Sequence, residues 1–496
     1  MTCSRPPLRF LVAILGTLSC SLVYTQRSAM SVAIVAMTTS TDANTKPEFD
    51  WSEKLQGVIL GSQFYLYIIG PTIAGNFTDR VGAKWVNFLG AIVPCILSLL
   101  TPIGVRKGGV GVLIAIRTID GLFHSTVYAS LFSLYIRWFS DPGERAIANG
   151  ATFFGGCLGS TVMYSLAGWA CSTEIGWPLV YYINAALYLP WMILWVLVVS
   201  NDPAENRFIT EEELAVIKVS EKKRGVLVSS LVLLFGRFSD LLLLFTQIKR
   251  PTPWKAIFTS RPVLSSLVLK TASGFGYFLL MTKMPSYLSS VLGIKLFSNG
   301  LFSGGISLAQ GLCALFAAPL SNLIIRRLHC PTLRVRKAFQ CVAMLGPAVC
   351  FAAIPSLDGG GSNTLVLVLL LGAMFSYGFF TGGEWSTGSE FAPNSAGVVF
   401  GVSNMLAFAM GVVAPLLVGV LLDVDGAQVR TQWAAIFYGT AVFYVLGLLP
   451  FLVFGTVTQQ EWDKRLVVEV VNEEEVENGG KLEEEMKKRG DSYEEL

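Results

Sequence analysis

Long apolar stretches recur throughout this 496-residue sequence, and they constrain its fold more than any other feature. A stretch of about 20 such residues has the length that crosses the hydrocarbon core of a membrane. Helices are the structure to expect there, because a lipid-exposed backbone has to satisfy its own hydrogen bonds. We predict an all-α membrane protein with twelve transmembrane helices at about 9–37, 55–76, 85–104, 109–138, 145–169, 177–199, 262–290, 297–320, 338–356, 364–386, 396–421 and 432–456.

The order of these spans divides the chain into two six-helix halves joined by a long middle segment. We expect an N-terminal half at 1–200, a cytosolic central loop at 201–261, a C-terminal half at 262–456 and an acidic cytosolic tail at 457–496. The central loop holds an apolar insert at 225–247, which Arg237 and Asp240 interrupt. A thirteenth crossing there would invert the charge pattern of the second half. We therefore interpret the insert as interfacial or loosely ordered, with a true span as the alternative.

Basic residues mark one side of the predicted membrane protein. They concentrate in the loops after the second, fourth and eighth spans, whereas the alternate loops hold fewer. Because cytosolic loops carry an excess of lysine and arginine, we predict a multi-pass protein with both termini in the cytosol. The sequence leaves open whether the membrane belongs to an intracellular vesicle or lysosome or is the plasma membrane.

Composition excludes several classes of function. Hydrophobic residues make up 53% of the chain and charged residues 14%, and a formal net charge of +3 is too small to indicate a nucleic-acid partner. The sequence has no Walker loop, metal-ligand cluster or nucleophile motif, and its nine cysteines show no paired spacing. We expect no enzymatic activity, no cofactor and no metal, and a monomer surrounded by lipid.

Two arginines stand inside the predicted spans. Arg27 lies within the first apolar run and Arg117 within the fourth. A guanidinium at the bilayer centre costs about 2.5–3.5 kcal/mol, so such residues normally face a cavity and meet an opposite charge. A guanidinium can bind a carboxylate or phosphate by two parallel hydrogen bonds. These arginines predict a carrier for a small anion, with a snorkelling Arg27 near an interface as the alternative.

The fourth span carries three ionisable residues on one face. Arg117, Asp120 and His124 stand at positions i, i+3 and i+7, which a 3.6-residue period places on one side of a helix. Histidine titrates near neutral pH, so Asp120 and His124 are candidates for coupling to a cation gradient. The alternative is a structural pair of Arg117 with Asp120, beside a hydrogen-bonded His124.

The loop after the second span carries the motif Gly75-Asn-Phe-Thr-Asp79-Arg80-Val-Gly82-Ala-Lys84. It resembles the G-xxx-D-R-x-G-x-K/R loop of the major facilitator superfamily. Glycines there allow close helix approach, and the charges are suited to ion pairs that break during a rearrangement. The resemblance implies a role in conformational gating for Gly75, Asp79, Arg80, Gly82 and Lys84.

Within that superfamily the sequence resembles the anion:cation symporters, which include sialin, the vesicular glutamate transporters and the sodium–phosphate cotransporters. The resemblance extends over about residues 10–462, outside the insert and the tail, and is carried by segments at 24–35, 57–69, 176–182, 253–260, 283–287 and 396–404. It implies a major facilitator fold that works by alternating access. It also implies that Arg27 binds the substrate, because the family keeps an arginine in this stretch.

The sequence departs from the family pattern at two positions. His124 stands where the resembling members have a glutamate, which leaves the coupling ion open between H⁺ and Na⁺. Ser273 stands where the vesicular glutamate carriers have an arginine. Lys270 and Lys283 are candidates to supply that positive charge, and we assign Lys270 to the substrate site. The alternative for each lysine is a position near a helix end.

Two further spans contribute candidates. Tyr65 and Tyr67 in the second span are positioned to line a cavity or to pack, and we assign Tyr65 to the substrate site. Glu384 and Glu390 lie in the tenth span, and Glu390 falls where the family often has an acidic residue. It is a candidate for cation coupling, with a cytosolic helix end as the alternative.

These observations predict a secondary active symporter that carries a small organic anion together with H⁺ or Na⁺. Sodium-dependent cotransport of inorganic phosphate is the alternative, since a guanidinium binds phosphate as well as carboxylate. An anion channel and a nontransporting sensor are weaker alternatives.

Overall fold

The computed structural model of this chain describes residues 7–39, 47–217, 254–357, 363–393, 395–424 and 428–464. Every regular element in these ranges is helical. The predicted insert at 225–247 and the part of the predicted tail from residue 465 onward lie outside the described residues.

Six helices build the first half, and a 3₁₀ turn at Pro203–Glu205 and a short helix at 211–217 follow them. They are α1 (Leu8–Thr38), α2 (Glu53–Ser62), α3 (Gly70–Val81), α4 (Ala83–Trp138), α5 (Pro142–Cys171) and α6 (Trp177–Val198).

Eight helices build the second half, with a 3₁₀ turn at Gly378–Thr381 between the fifth and the sixth of them. They are α7 (Trp254–Thr259), α8 (Arg261–Ser290), α9 (Leu296–Leu328), α10 (Thr332–Leu357), α11 (Asn363–Tyr377), α12 (Glu384–Phe391), α13 (Ala396–Leu422) and α14 (Val429–Phe454).

Three breaks reconcile these helices with the twelve predicted crossings. Within α4, Gly109 has a φ of 65° and a ψ of −158°, a conformation open almost only to glycine, so two crossings meet there. The second crossing is divided into α2 and α3 by the turn at 63–69. The tenth crossing is divided into α11 and α12.

Nine described helical segments are long and apolar enough to span a membrane, and one of them, Asn363–Gly388, runs across the break between α11 and α12. The remaining three crossings are the second part of α4, the pair of α2 and α3, and the less apolar α5, which is rich in glycine. The prediction of an all-α membrane protein with twelve crossings is confirmed.

The bundle has two ends, which we name after one residue at each. The Glu53 end carries the connections at 47–52, 172–176 and 291–295. The Arg80 end carries the connections at 139–141, 329–331 and 392–395, together with both ends of the described chain.

Contacts between the two halves are concentrated from the Glu53 end to the middle of the bundle. α2 packs on α13 so closely that a Cβ on Gly57 would stand 2.4 Å from the carbonyl oxygen of Pro415. α5 packs on α9 in the same way, since a Cβ on Gly300 would stand 2.3 Å from the carbonyl oxygen of Tyr164. The interface between the two halves, which we call the seam, is therefore closed at the Glu53 end by direct backbone contact.

An ion pair also joins the halves at the Glu53 end. Lys283 of α8, whose side chain is fully buried, lies 2.7 Å from Glu53 of α2. Ring contacts continue the seam into the middle, where Phe64 of the first half meets Phe278 of the second with ring centroids 4.7 Å apart.

Candidate functional site

Arg27 lies in the middle of α1 with only 3% of its surface exposed. None of its three guanidinium nitrogens has a hydrogen-bond partner among the residues that the structure describes. A guanidinium carries five N–H donors, and a buried polar group without a partner costs about 1–3 kcal/mol, more when it is charged. The arrangement is therefore that of a binding group whose ligand comes from outside the protein.

Aromatic rings surround this guanidinium. Its central carbon lies 4.3 Å from the ring centroid of Tyr67, 4.9 Å from that of Tyr24 and 5.4 Å from that of Phe64. Phe408 of α13, in the other half, stands at 5.9 Å. Ring faces attract a cation but accept no strong hydrogen bonds, so they hold Arg27 in place while its donors stay free. The site lies at the seam between the halves.

Arg117 is similarly buried, at 6% exposure, but its guanidinium donates hydrogen bonds to residues of the first half. The guanidinium donates at 2.8–3.2 Å to three acceptors, which are the backbone carbonyls of Ile59 and Leu60 and the Oε1 of Gln63. The last carbonyls of a helix have no partner within that helix. Arg117 thus caps α2 at the break in the second crossing.

Asp120 and His124 are brought together one turn further along α4. His124 Nδ1 lies 3.6 Å from Asp120 Oδ2, and both side chains are buried. Asp120 Oδ1 has no hydrogen-bond partner in the described part of the chain. The pair therefore combines a titratable ring with a carboxylate oxygen that is free to accept a proton or a cation.

The hydrogen bonds of His124 assign its tautomer. Its Nε2 lies 3.1 Å from the Tyr188 hydroxyl, which donates in turn to the Leu22 carbonyl, so Nε2 is the donor. Its Nδ1 lies 3.3 Å from the Gln63 amide nitrogen, so Nδ1 accepts. The neutral ring is fully satisfied. If Nδ1 were also protonated, its N–H would have to donate to the Asp120 carboxylate.

Lys270 forms a second charged cluster, in the C-terminal half. Its Nζ lies 3.4 Å from Glu384 Oε2 and 3.4 Å from Asn404 Oδ1. It also lies 4.2 Å from the ring centroid of Trp385. The predicted alternative of a helix-end lysine does not describe it, since it stands within α8, buried, with a carboxylate at its side.

Other predicted site residues lie apart from this centre. Tyr65 is 40% exposed in the break between α2 and α3, whereas Tyr67, two residues later, is 2% exposed and contacts Arg27.

Glu390 lies at the C-terminal part of α12, at the Arg80 end, where its Oε1 accepts from Arg336 Nη2 at 2.7 Å. Arg336 also binds Ser321 Oγ at 2.7 Å and Asn322 Oδ1 at 3.1 Å.

The motif after the second span forms a tight corner between α3 and α4. Gly82 has a φ of 92°, and a Cβ there would stand 2.4 Å from the Asn201 side chain. The backbone N–H of Lys84 donates to Asn201 Oδ1, and its Nζ donates to the Val196 carbonyl. Arg80 is exposed. Gly75 and Asp79 belong to α3, and their side-chain positions lie outside what the structure describes.

Sequence reasoning missed three residues that the fold brings to the site. Gln63 hydrogen-bonds to both Arg117 and His124. Tyr188 fixes the tautomer of His124, and Phe408 completes the set of aromatic side chains around Arg27. Gln63, a polar residue in an apolar span, carried a signal of its own. Tyr188 and Phe408 carried none, because aromatic residues in membrane helices mostly pack.

Comparisons with known proteins agree with this architecture. Residues 16–415 match the family model of the Major Facilitator Superfamily. Human sialin is 27% identical over 476 residues, which cover 92% of this chain and 90% of sialin. The vesicular glutamate transporter 3 of Danio rerio is 26% identical over 470 residues, covering 93% of this chain and 75% of that protein. The inward-open xylose transporter XylE of E. coli superposes with a TM-score of 0.65 at 15% identity, over 93% of this chain and 99% of that one.

Proposed function

This chain belongs to the Major Facilitator Superfamily, within its anion:cation symporters, and we propose that it carries a small organic anion across a membrane together with H⁺ or Na⁺. The observation that carries the proposal is the guanidinium of Arg27, which is buried at the seam between the halves with no hydrogen-bond partner among the described residues. A site at the interface of two repeats is accessible from either side in turn when the halves rock.

The surroundings of Arg27 favour an organic anion over inorganic phosphate. Its planar fork is suited to a carboxylate, to which it can donate two parallel hydrogen bonds. The faces of Tyr24, Phe64, Tyr67 and Phe408 offer apolar surface beside that fork, which suits a carbon skeleton. A phosphate ion would leave this apolar surface without a partner.

Asp120 and His124 support coupling to a cation. Asp120 has a free carboxylate oxygen, and His124 can turn a second ring proton toward it. A positive charge gained here would offset the negative charge that the solute brings to Arg27. Replacing Asp120 by Asn should remove the pH or sodium dependence of uptake, and an unchanged dependence would exclude Asp120 from coupling.

The seam supports alternating access. The halves meet at the Glu53 end through Gly57, Gly300 and the pair of Lys283 with Glu53. With the basic Arg80 end assigned to the cytosol, this conformation is closed on the side of the membrane away from the cytosol. The outward step would separate these contacts. A vesicular or lysosomal membrane and the plasma membrane both fit this assignment.

Counterflow in proteoliposomes tests the proposal. Proteoliposomes that contain the purified full chain are loaded with unlabelled anion. Uptake of labelled glutamate, aspartate, sialic acid, urate and phosphate is then measured under imposed proton or sodium gradients. We expect accumulation of an organic anion, and its loss in Arg27→Lys, which keeps the charge but lacks the fork. Arg207→Lys, at an exposed position outside the bundle core, is the matched control.

Three outcomes would change the proposal. Normal uptake by Arg27→Lys would remove Arg27 from the substrate site. Accumulation of phosphate alone would replace the organic substrate by the phosphate alternative. Currents far above the turnover of a carrier would indicate a channel.

A further inference from the structure

The carbonyl oxygen of Met281, in α8, lacks the donor that a regular helix would provide. That donor is the backbone N–H four residues later, and the residue there is Pro285, whose ring nitrogen carries no hydrogen. Met281 is only 8% exposed, so water does not readily take the place of the missing donor. Buried backbone carbonyls are nearly always paired, and this one has to find its partner outside the helix.

Two hydrogen bonds to this carbonyl come from the other half of the protein. The Tyr164 hydroxyl of α5 donates to it at 2.6 Å, and the Ser31 hydroxyl of α1 donates at 3.1 Å. Both donors are buried, with 2% and 1% of their surfaces exposed. Ser31 lies about one helical turn after Arg27 in α1. Contacts across the seam therefore replace the helix bond that Pro285 removes.

The same turn of α8 is bound at a third point. Lys283, two residues after Met281, is the partner of Glu53 from α2. Helices α1, α2 and α5 of the first half thus all bind the part of α8 that precedes Pro285. The ion pair ends on a partly exposed carboxylate, whereas the two hydroxyls are enclosed by protein. The hydroxyls are therefore the contacts that lie toward the interior of the bundle.

A cavity connects these contacts to the Arg27 site. Its lining comes from both halves and includes Tyr164 and Met281. Another lining residue, Tyr277, has its ring 5.1 Å from that of Phe278, which packs on the aromatic side chains around Arg27. A solute that binds the guanidinium and extends into this cavity would come within reach of the Tyr164 hydroxyl.

The Tyr164 hydroxyl can serve only one acceptor at a time. It has a single hydrogen to donate, so it binds either the Met281 carbonyl or an oxygen of the solute. When the solute takes this donor, Ser31 still donates to the carbonyl, and no buried group is left unpaired. The seam then has one hydrogen bond at this point instead of two.

We propose that the Tyr164 hydroxyl is a latch on the seam, which donates to the Met281 carbonyl in the empty carrier and to an acceptor of the solute in the loaded carrier. Loading therefore weakens the attachment of α8 to the first half, and the loaded carrier opens the Glu53 end more readily than the empty one. A carrier that holds only the coupling cation keeps its latch, which limits dissipation of the gradient. Tyr164 is a positioning residue in this inference, which rests on the proposed function.

Replacing Tyr164 by Phe removes the latch and keeps the ring. Purified full-length protein in proteoliposomes carries the labelled anion found by counterflow, and two rates are compared. Exchange has solute on both sides, whereas net uptake starts without internal solute and requires the empty carrier to return. We expect Tyr164→Phe to raise the ratio of net uptake to exchange by about 2- to 10-fold, the range that one hydrogen bond represents.

The KM of exchange separates a latch from a simple solute ligand. In the latch, the solute replaces the Met281 carbonyl as the acceptor, so solute binding gains little from the hydroxyl. The KM of Tyr164→Phe should therefore stay within about 2-fold of the unsubstituted value. A hydroxyl that only binds solute predicts a KM raised by about 2- to 10-fold with an unchanged ratio, and that result would overturn the latch.

Tyr135→Phe is the matched control. Tyr135 is also buried, and its hydroxyl bonds to Thr152 within the first half. This substitution removes a buried hydroxyl without touching the seam, so the ratio of net uptake to exchange should stay unchanged. Equal increases in both variants would attribute the effect to any lost hydroxyl and overturn the latch.

Pro285→Ala tests the origin of the latch. It restores an N–H that can donate to the Met281 carbonyl, which then no longer depends on the first half. Adding Tyr164→Phe in this background should therefore change the ratio less than it does alone. The same change in both backgrounds would overturn the assignment of the latch to this carbonyl.

Size-exclusion profiles in detergent identify variants that fail to fold. If Pro285→Ala fails, the comparison of Tyr164→Phe with Tyr135→Phe decides alone. An unchanged ratio in Tyr164→Phe would overturn the latch and leave the proposed carrier intact. Absence of uptake of every labelled anion by the unsubstituted protein would instead overturn the proposed function itself.

Discussion

Arg27 and Arg117 are alike in the sequence and opposite in the fold. Both are buried arginines inside apolar helices, at 3% and 6% exposure. The guanidinium of Arg117 donates to two carbonyls and an amide oxygen at the break after α2. The guanidinium of Arg27 lies against aromatic rings, and none of its nitrogens has a hydrogen-bond partner of good geometry in the described ranges.

The difference shows that burial alone does not identify a ligand-binding charge. A buried arginine whose donors are satisfied by the protein is part of the scaffold, because its removal leaves carbonyls unpaired. A buried arginine whose donors are free destabilises the unliganded protein and gains its partners only with a ligand. Arg117 belongs to the first class and Arg27 to the second.

Replacing Arg27 by Met should produce the largest effect. Uptake should fall to background, because the described residues place no other guanidinium with free donors among the aromatic side chains around this site. The melting temperature without solute should rise, because the substitution removes a buried guanidinium whose unsatisfied donors destabilise the fold by about 1–3 kcal/mol. Uptake and thermal unfolding in detergent measure the two effects. A lowered melting temperature would show that Arg27 is satisfied after all.

Replacing Arg117 by Met should act in the opposite direction on stability. We expect a loss of about 1–3 kcal/mol, because the carbonyls at the end of α2 stay buried without a donor. Thermal unfolding again measures the change, with Arg27→Met as its matched counterpart. If Arg117→Met melts like the unsubstituted protein but no longer binds solute, the assignment of the two arginines is reversed.

Replacing Glu390 by Gln tests a third buried arginine, Arg336, which holds that carboxylate at the Arg80 end. We expect a loss of about 1–3 kcal/mol in stability, since Arg336 keeps its bonds to Ser321 and Asn322. The pH and sodium dependence of uptake should stay unchanged. Loss of that dependence would restore Glu390 to cation coupling.

Arg106, a surface arginine at the Glu53 end, should show the smallest effect. Burial raises the pKa of its partner Glu48, but hydrogen bonds from Arg106 and Trp177 outweigh it and lower that pKa below 4.5. A carboxyl whose pKa is lowered in the folded state stabilises the fold at pH values above its unfolded-state pKa. That stabilisation disappears as the pH falls through the lowered, folded-state pKa. Glu48→Gln should therefore melt slightly lower at pH 7.

As the pH falls through the lowered pKa of Glu48, the melting difference between the variant and the unsubstituted protein should disappear, because the carboxyl then loses its charge in both states. Glu53 offers a second carboxylate at this end as a comparison, since its partner Lys283 is fully buried. A Glu48→Gln difference that persists unchanged below the lowered pKa of Glu48 would contradict a charge-dependent contribution.

Several parts of the site followed from the sequence and several did not. Arg27 was predicted as a substrate ligand and stays a proposal, now supported by its free donors. Asp120 and His124 were predicted to share a face, and as residues i and i+4 of one helix they bring Nδ1 of His124 to 3.6 Å from Oδ2 of Asp120. Tyr65 was chosen over Tyr67 because nothing in the sequence reveals the turn at 63–69, which directs Tyr67 toward Arg27.

The sequence by itself determined the twelve crossings, the two halves and the presence of charges within them. These properties depend on hydropathy and length, which act along the chain and need no knowledge of neighbours. Only the tertiary structure decided which charges are satisfied. Arg117 meets a helix end 54–58 residues away, Lys270 meets Glu384 from another crossing, and Arg27 meets none in the described chain. Hydrogen-bond satisfaction is a property of packed neighbours, and packing is not local in sequence.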